Sequence, residues 1–519
     1  MARTLTVALL WASTFAFCGA EGGLRAVWPS AVALGTAFLL RRVLVGLMAG
    51  AAAGALLLAG GDPVAGFVGL FDAHVIPVLT NRWNACAIVF TLLVGGFAAL
   101  VEHGGGAAAV IRRLVGEGST AGARVQWATY VFGLMCFFDG LASSALVGRT
   151  MRPLAARAGV SGAKLSFLVD STSSPVTCVA LVSTWIAFQL SLIQGNLPAP
   201  ALPSGAYAMF LASIPRNFYC LFTLALVAAV IARQWDIGPM RGARVAGAHD
   251  GGEVEAGGGP AGLWRAAIPV ACLVVGLPLG LWVDGARRGG PDGAAVGVVE
   301  AFGRADAALV LVCAAAFACL VAFACNVTRQ GWRRAPEVYL DGVTRFFLPV
   351  LIIAAAWTLG STLKALGAPK VLASWLSMGF PAAWFPAVVF LVGSVVSFAT
   401  GTSWGTMAVM MPLALPAAQA LGAADAASAH GLIASTVAAV FSGAVFGDHC
   451  SPVSDTTIIS AMASGVETVE HVRTQLPYAL ISAAMATCVG FVPLGFGAPP
   501  WACLLVGGFG IAMLTRVRP

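Results

Sequence analysis

The chain has 519 residues, 59% of them hydrophobic and only 10% charged, with a mean hydropathy of +0.89. That mixture excludes a water-soluble globular domain. The net charge of +7 does not mark a nucleic-acid partner either, because Arg and Lys cluster in short segments between apolar runs, where they act as topology signals. Apolar windows of about twenty residues recur without the alternation of a membrane barrel, so the sequence predicts an all-α polytopic membrane protein.

In chain order, Met1–Ala20 carries Arg3, an apolar stretch from Leu5 to Phe17, and Gly19-Ala20 before Glu21. It reads as a signal peptide, with an uncleaved first anchor as the alternative. The first transmembrane half (22–232) opens with spans near Val27–Leu40 and Val43–Gly60, joined at Arg41-Arg42 on the inner side, and continues with a span at Ala85–Val101. Glu102–Arg124, with Arg112 and Arg113, is then cytoplasmic. Val125–Gly148 is interrupted at Phe138-Asp139-Gly140 and followed by Arg149, Arg152, Arg157 and Lys164 without an acid. A single crossing there would put this basic loop outside, and later Arg329, Arg333 and Arg334 as well; a re-entrant hairpin turning near Asp139 keeps both groups inside.

Leu165–Ile193 leaves through a break at Asp170-Ser171-Thr172-Ser173-Ser174-Pro175, Gln194–Ser204 is external, and Ala206–Ala232 returns past Pro215-Arg216. Arg233–Pro260, Gly-rich and mixed in charge, reads as a flexible cytoplasmic linker within 233–263. In the second half (264–519), Trp264–Val283, Asp306–Cys325 and Thr344–Leu363 cross. Ala383–Met411 is a hairpin from the outer side, broken at Thr400-Gly401-Thr402-Ser403-Trp404-Gly405-Thr406. Gly431–Ser460, Gln475–Gly495 and Trp501–Leu514 follow, leaving Arg516 and Arg518 in the cytoplasm of a multi-pass protein. The count is about eleven spans and two re-entrant hairpins. The twelve Cys residues are scattered singly, as at Cys313, Cys319 and Cys325, and read as small packing residues.

A repeat lies within the halves. Aligning Pro153 of Arg149-Thr-Met-Arg-Pro-Leu-Ala with Pro412 of Val409-Met-Met-Pro-Leu-Ala sets Ser143 and Ser144 opposite Thr402 and Ser403. The next crossing in each half then carries Ser-Pro, at Ser174-Pro175 and Ser451-Pro452. Each half runs span, hairpin, broken span, span, from about 85 to 232 and from about 343 to 495. The first set starts outside and the second inside, which makes an inverted-topology repeat whose broken elements meet near the midplane.

The most polar stretch, Phe446–Ser464, opens Phe-Gly-Asp-His-Cys-Ser-Pro-Val-Ser-Asp-Thr-Thr. With it, Asp139, Asp170, Asp448 and Asp455 all fall at breaks at membrane depth, where a carboxylate costs a few kcal/mol and defaults to a functional reading. These four are the Na⁺ candidates. Ser143, Ser171, Thr172, Ser174, Thr402, Ser403, Ser451, Ser454 and Thr456 add the hydroxyl oxygens that a hard cation wants, and freed backbone carbonyls add more. Because the carboxylates can also carry protons, competition between Na⁺ and H⁺ for one site is sufficient for antiport. Simpler roles remain open: each Asp can cap a half-helix, His449 is a proton carrier or a satisfied donor, and Trp404 is a cavity wall or a packing residue. Arg216 reads as an interfacial snorkeller, and His74, Glu102 and His103 as interfacial residues.

At these residues the chain resembles the NhaC-type sodium/proton antiporters of the ion transporter superfamily. Gly447-Asp-His-Cys-Ser-Pro-Val-Ser-Asp-Thr-Thr-Ile is similar to that family's most distinctive motif, and Gly401-Thr-Ser-Trp-Gly-Thr-Met, Lys164-Leu-Ser-Phe-Leu-Val-Asp-Ser-Thr with Pro175, and Ser183-Thr-Trp also match. Where one branch tends to read Phe-Phe-Asp-Asp-Tyr-Ala-Asn, this chain has Phe137-Phe138-Asp139-Gly140-Leu141-Ala142-Ser143, which leaves fewer oxygen ligands in the first hairpin. The resemblance implies a secondary active transporter of the cell (inner) membrane, with Na⁺ and H⁺ as cargo and no resident cofactor. Some relatives carry organic acids or amino acids, so a Na⁺- or H⁺-coupled carrier of such a carboxylate is the alternative, and a homo-oligomer stays open.

Paired membrane aspartates also suggest an intramembrane aspartyl protease, yet the Gly-x-Gly-Asp signature is missing at Gly447-Asp448. Asp448, His449 and Ser451 lie too close along one turn for a Ser/His/Asp geometry. A phosphate-binding Gly-x-x-x-x-Gly-Lys-[Ser/Thr] run does not occur, which argues against ATP-driven pumping. The expectation is one midplane cavity in which Asp448–Thr456 faces Asp139, Asp170 and Thr402–Trp404.

Overall fold

The computed structural model describes residues 11–18, 23–40, 42–104, 122–137, 139–197, 205–243, 264–288, 305–368, 381–422, 426–452 and 454–517, with the single positions Thr6, Gly262, Ala301 and Val371. Among the described residues the chain is helical, without a strand. Among the described residues ten helices are long and apolar enough to cross a membrane, and Leu44–Leu58 and Pro500–Leu514 are shorter apolar helices. The protein is a multi-pass membrane protein.

The antiparallel pair α1 (Gly23–Leu40) and α2 (Val43–Leu58) is held by small residues, since lipid gives helices little hydrophobic reason to associate. A Cβ on Gly50 would lie 2.7 Å from Ala33 Cβ, and one on Gly46 would lie 2.8 Å from Ala37 Cβ. Residues 11–18 pack against this pair: Thr14 is buried, its hydroxyl accepts from Trp28 Nε1 at 3.2 Å, and Phe17 stacks on Trp28 with ring centroids 4.2 Å apart. That packing gives the signal-peptide reading no support.

A helix that sequence reading passed over, α3 (Pro63–Thr80), follows. Gly66 packs on Leu56 at the last turn of α2, His74 Nδ1 lies 2.9 Å from Ser361 Oγ, and Val78 O accepts from Asn84 Nδ2. Leu56 and Ser361 lie near the C-terminal ends of α2 and of the helix Phe347–Ala365, and Asn84 lies in the first turn of the helix Arg82–His103, so α3 meets its partners near helix ends. Its outward face, Val64, Phe67, Val68, Phe71, Ile76 and Leu79, is apolar and exposed. Next, α4 (Arg82–His103) packs along the later α13 (Ala307–Thr344), where Tyr339 fills the space over Gly96 and Phe346, just past the end of α13, fills that over Gly95. α13 is interrupted at Gly331 (φ 80°) and is flanked by α12 (Trp264–Arg287). Cys319 and Cys325 are buried as expected of packing residues, whereas Cys313 is exposed.

The first polar break separates α5 (Gly122–Met135) from α6 (Gly140–Arg157) at Asp139. The crossing expected at Leu165–Ile193 is three helices, α7 (Gly162–Ser171), α8 (Ser174–Val179) and α9 (Ile186–Asn196), and the return is split by a 3₁₀ turn at Ile214–Arg216 into α10 (Gly205–Ser213) and α11 (Phe218–Arg233). In the second half α14 (Phe347–Ala365) precedes α15 (Phe385–Thr400), which ends at Gly401 in the left-handed region (φ 68°), and α16 (Ser403–Leu421), capped by Thr402. α17 (Ala426–Cys450) and α18 (Asp455–Ser464) flank Pro452, and α19 (Thr468–Gly495) and α20 (Pro500–Leu514) close the chain.

Two contacts cross between the halves in a reciprocal way: α6 packs on α18, and α16 packs on α9. The start of the expected linker belongs to the packed body. Trp235 Nε1 donates to Val517 O at 2.9 Å, Ile237 N–H donates to Tyr478 OH at 2.9 Å, and Lys164 forms an ion pair with Asp236. The flexible-linker reading therefore does not hold for Gln234–Ala243, and 244–261 lie outside the described residues.

Candidate cation-binding site

Four helix breaks converge on a cavity of about 70 Å³ lined by Asp139, Thr402, Ser403, Trp404, Asp448, Asp455 and Thr456, with Trp185, Phe346 and Ile352 closing its walls. Asp448, in the last turn of α17, is buried, and hydroxyls from three elements hold its carboxylate. Ser454 Oγ donates to Oδ1 at 2.7 Å, while Ser174 Oγ and Ser403 Oγ donate to Oδ2 at 2.8 and 3.3 Å. Asp139 is buried, and its Oδ2 accepts from Thr184 Oγ1 at 2.9 Å. Asp455 opens α18 and is exposed toward the cavity; its Oδ1 accepts from the Thr456 N–H at 2.9 Å, and Thr456 Oγ1 lies 3.1 Å from Ser454 Oγ.

Of the described lining residues none is Lys, Arg or His. Among the described residues no three His, Cys, Asp or Glu side chains are grouped to hold a metal ion, so a cation here would draw on hydroxyl and carbonyl oxygens as well as carboxylates.

The expectation of a single cavity does not match the position of Asp170. Its side chain points away from the lining, into a buried cluster where its Oδ2 accepts from Gln475 Nε2 at 2.7 Å and from Thr457 Oγ1 at 3.3 Å, and lies 3.1 Å from His471 Nε2. Ser171 and Thr172 go with it. Ser171 Oγ lies 2.9 Å from His449 Nε2, and Thr172 donates to the carbonyl of Leu168 on its own helix at 2.8 Å. His449 is a satisfied residue, since its Nδ1 meets Tyr219 OH at 2.7 Å.

The Ser143 side chain is buried and its hydroxyl has no hydrogen-bond partner among the described residues, while its N–H donates to the Asp139 carbonyl at 2.9 Å, and Ser451 is buried at the α17–α18 break. Trp404 stacks on Phe188 (centroids 4.6 Å apart, 8° between planes) and so walls the cavity. Arg216 donates to the Ala212 carbonyl of the preceding turn. Glu102 pairs with Arg345 at 3.4 Å, and His103 Nδ1 lies 2.9 Å from Ala99 O.

A sequence model of the Na⁺/H⁺ antiporter family matches residues 176–496. The chain belongs to that family. Over 91% of its length it is 32% identical to an uncharacterized protein of Haemophilus influenzae, covering 91% of that protein. It is 31% identical to the Na⁺/H⁺ antiporter NhaC of Alkalihalophilus pseudofirmus over 32% of this chain and 34% of that one, and 31% identical to a malate-2H⁺/Na⁺-lactate antiporter of Bacillus subtilis over 30% and 32%. Among solved structures it shares its fold with the YdaH transporter of Alcanivorax borkumensis, at a TM-score of 0.56 and 15% identity over 84% of this chain and 90% of that one. It also shares it with MtrF of Neisseria gonorrhoeae, at a TM-score of 0.52 and 13% identity over 90% and 94%. A member of the antiporter family is a secondary transporter whose ions are Na⁺ and H⁺, not an enzyme, and the aspartyl-protease alternative is set aside.

Sequence reasoning assigned no site role to Thr184, Thr457, Ser460, His471 or Gln475. Thr184 and Thr457 lie inside the motifs that carried the resemblance. His471, Gln475 and Tyr478 are one face of α19, a period-four pattern lost because the span was begun at Gln475.

Proposed function

We propose that Na⁺ binds in the cavity between Asp139, Asp448 and Asp455 and is exchanged for H⁺ by alternating access. The observation that carries this reading is the Asp448 carboxylate, buried and clasped by Ser174, Ser403 and Ser454 in a cavity whose described lining contains no cationic side chain. An uncompensated carboxylate at membrane depth costs several kcal/mol, and a bound monovalent cation removes that cost. The ligands offered are all oxygen, which suits Na⁺.

The reciprocal packing of α6 on α18 and α16 on α9 supports the inverted repeat, with the α5–α6 and α15–α16 pairs as its re-entrant hairpins. Arg233, Arg241 and Arg516 gather round one groove, which supports a cytoplasmic C-terminus in an inner membrane. The test is proton movement in everted vesicles on adding Na⁺. Alkalinisation or acidification that follows Na⁺ supports the reading, and no proton movement at any pH from about 6 to about 9 overturns it.

A second reading, a carrier of small carboxylates, is favoured by one observation. A cavity of about 460 Å³ at the far end of α14 is lined by Trp83, Asn84, Asn196, Trp357 and Lys364, a size and a charge suited to a small organic anion. Adding lactate, malate or an amino acid to the same vesicles separates the two, because only a carrier makes Na⁺-driven proton movement depend on the acid.

A further inference from the structure

Two apolar helices, α11 and α20, pack together and end at one surface groove. α20 lies against α11 through Gly507, where a Cβ would fall 2.2 Å from Phe222 Cζ, and Cys503 and Ile511 are buried on the same side. The opposite side is exposed and apolar, with Trp501, Leu505, Val506, Phe509 and Met513 in one stripe at helical spacing. On a membrane helix such a stripe meets acyl chains.

The stripe ends on charge. Arg516 folds over Met513, with Nη1 3.6 Å from Sδ, and beyond it the groove, about 650 Å³, is lined by Arg233, Trp235, Asp236, Arg241, Thr515 and Arg516. The described lining thus offers three guanidinium groups and one carboxylate, and that carboxylate is already paired with the buried Lys164. The Arg233 guanidinium has no hydrogen-bond or ion-pair partner among the described residues, and Arg241 engages Nε alone, on the Asp236 carbonyl at 3.0 Å. The acids Glu467 and Glu470 line a different groove. The bonds from Trp235 to Val517 and from Ile237 to Tyr478 tie the walls to the packed body, so the arginines stand in a built recess.

We propose that this groove binds the phosphate of an anionic phospholipid whose acyl chains lie along the exposed stripe of α20. A phosphodiester offers acceptor oxygens to the forked guanidinium donors, and its charge offsets the excess of arginine. Basic recesses between helices at a membrane surface favour such headgroups. A free phosphate meets the same donors but makes no use of the apolar stripe that leads into them. The groove shares no lining residue with the cation cavity, and the proposal is independent of the ion exchanged. Because Asp236 pairs with Lys164 in the first turn of α7, a lipid held here also braces the segment that anchors that helix.

The test is melting of the full-length purified protein in neutral detergent with added phosphatidylglycerol, phosphatidylcholine or inorganic phosphate. Phosphatidylglycerol is expected to raise the melting temperature by about 2 °C or more, and the other two to leave it unchanged. In the double variant Arg233→Gln and Arg516→Gln, half-maximal stabilisation should need about thirtyfold more phosphatidylglycerol, about fivefold for each arginine removed. Equal stabilisation by phosphatidylcholine, stabilisation by phosphate alone, or an undiminished response in the double variant overturns the proposal. If the double variant does not fold, a photoactivatable phosphatidylglycerol on the wild-type protein decides. Adducts within 233–243 or 505–517 support the proposal, and their absence from both segments overturns it.

Discussion

Ser454→Ala is the perturbation whose effect can be worked most directly from the structure. Ser454 Oγ is 2.7 Å from Asp448 Oδ1 and 3.1 Å from Thr456 Oγ1, so it both fixes the carboxylate and brings an oxygen to the cavity edge. A hydrogen bond to a charged group contributes about 1.5–3 kcal/mol, which corresponds to about tenfold to a hundredfold in an equilibrium constant. The bond exists with and without the cation, so only part of that energy distinguishes the loaded from the empty site. The expected weakening of Na⁺ binding is therefore at the low end, about tenfold. The assay is the Na⁺ concentration giving half-maximal proton movement in everted vesicles, compared with Ser171→Ala, whose hydroxyl faces His449 instead. A folded Ser454→Ala protein with half-saturation within about twofold of wild type would refute the reasoning.

Three further outcomes follow from the packing. A Cβ on Gly447 would fall 2.1 Å from Phe398 N and 2.3 Å from Ser397 C, both backbone, so Gly447→Ala must push α15 off α17; the expected loss is about 1–3 kcal/mol or more, read as a lower melting temperature in detergent. Lys164 is 5% exposed and its partner Asp236 38%, so Asp236→Ala strands a buried ammonium and costs about 3–5 kcal/mol, while Lys164→Met leaves a carboxylate that can turn to water and costs markedly less; equal losses would contradict this. Trp404→Ala removes the ring stacked on Phe188 at the cavity wall, and should let Na⁺ cross vesicle membranes without moving protons, which a ²²Na⁺ leak assay detects.

Much of this was legible in the sequence because membrane burial is intolerant. Asp139, Thr402, Ser403, Asp448, Asp455 and Thr456 stood out as polar residues in apolar runs, and all line one cavity. Asp170 stood out for the same reason yet serves a different cluster, since a helix break does not tell which way its side chain turns. His471 was invisible because it lies next to Glu470 and one turn from Glu467, both polar surface residues, and reads as loop. α3 was passed over because its polar residues, Asp72 and His74, interrupt the apolar run, and only its contacts at Leu56 and Ser361 reveal how it lies. Gln234–Ala243 has a linker's composition, but Trp235 and Met240 are buried, an anchoring that composition averages away.

The central claim is that Asp448 and its neighbours hold the transported cation. ²²Na⁺ binding to the purified full-length protein tests it most directly, with Asp448→Asn beside wild type. The account predicts saturable binding by wild type, weakened by added acid, and at least about a hundredfold loss in Asp448→Asn. Wild-type Na⁺ affinity in a folded Asp448→Asn protein would contradict it.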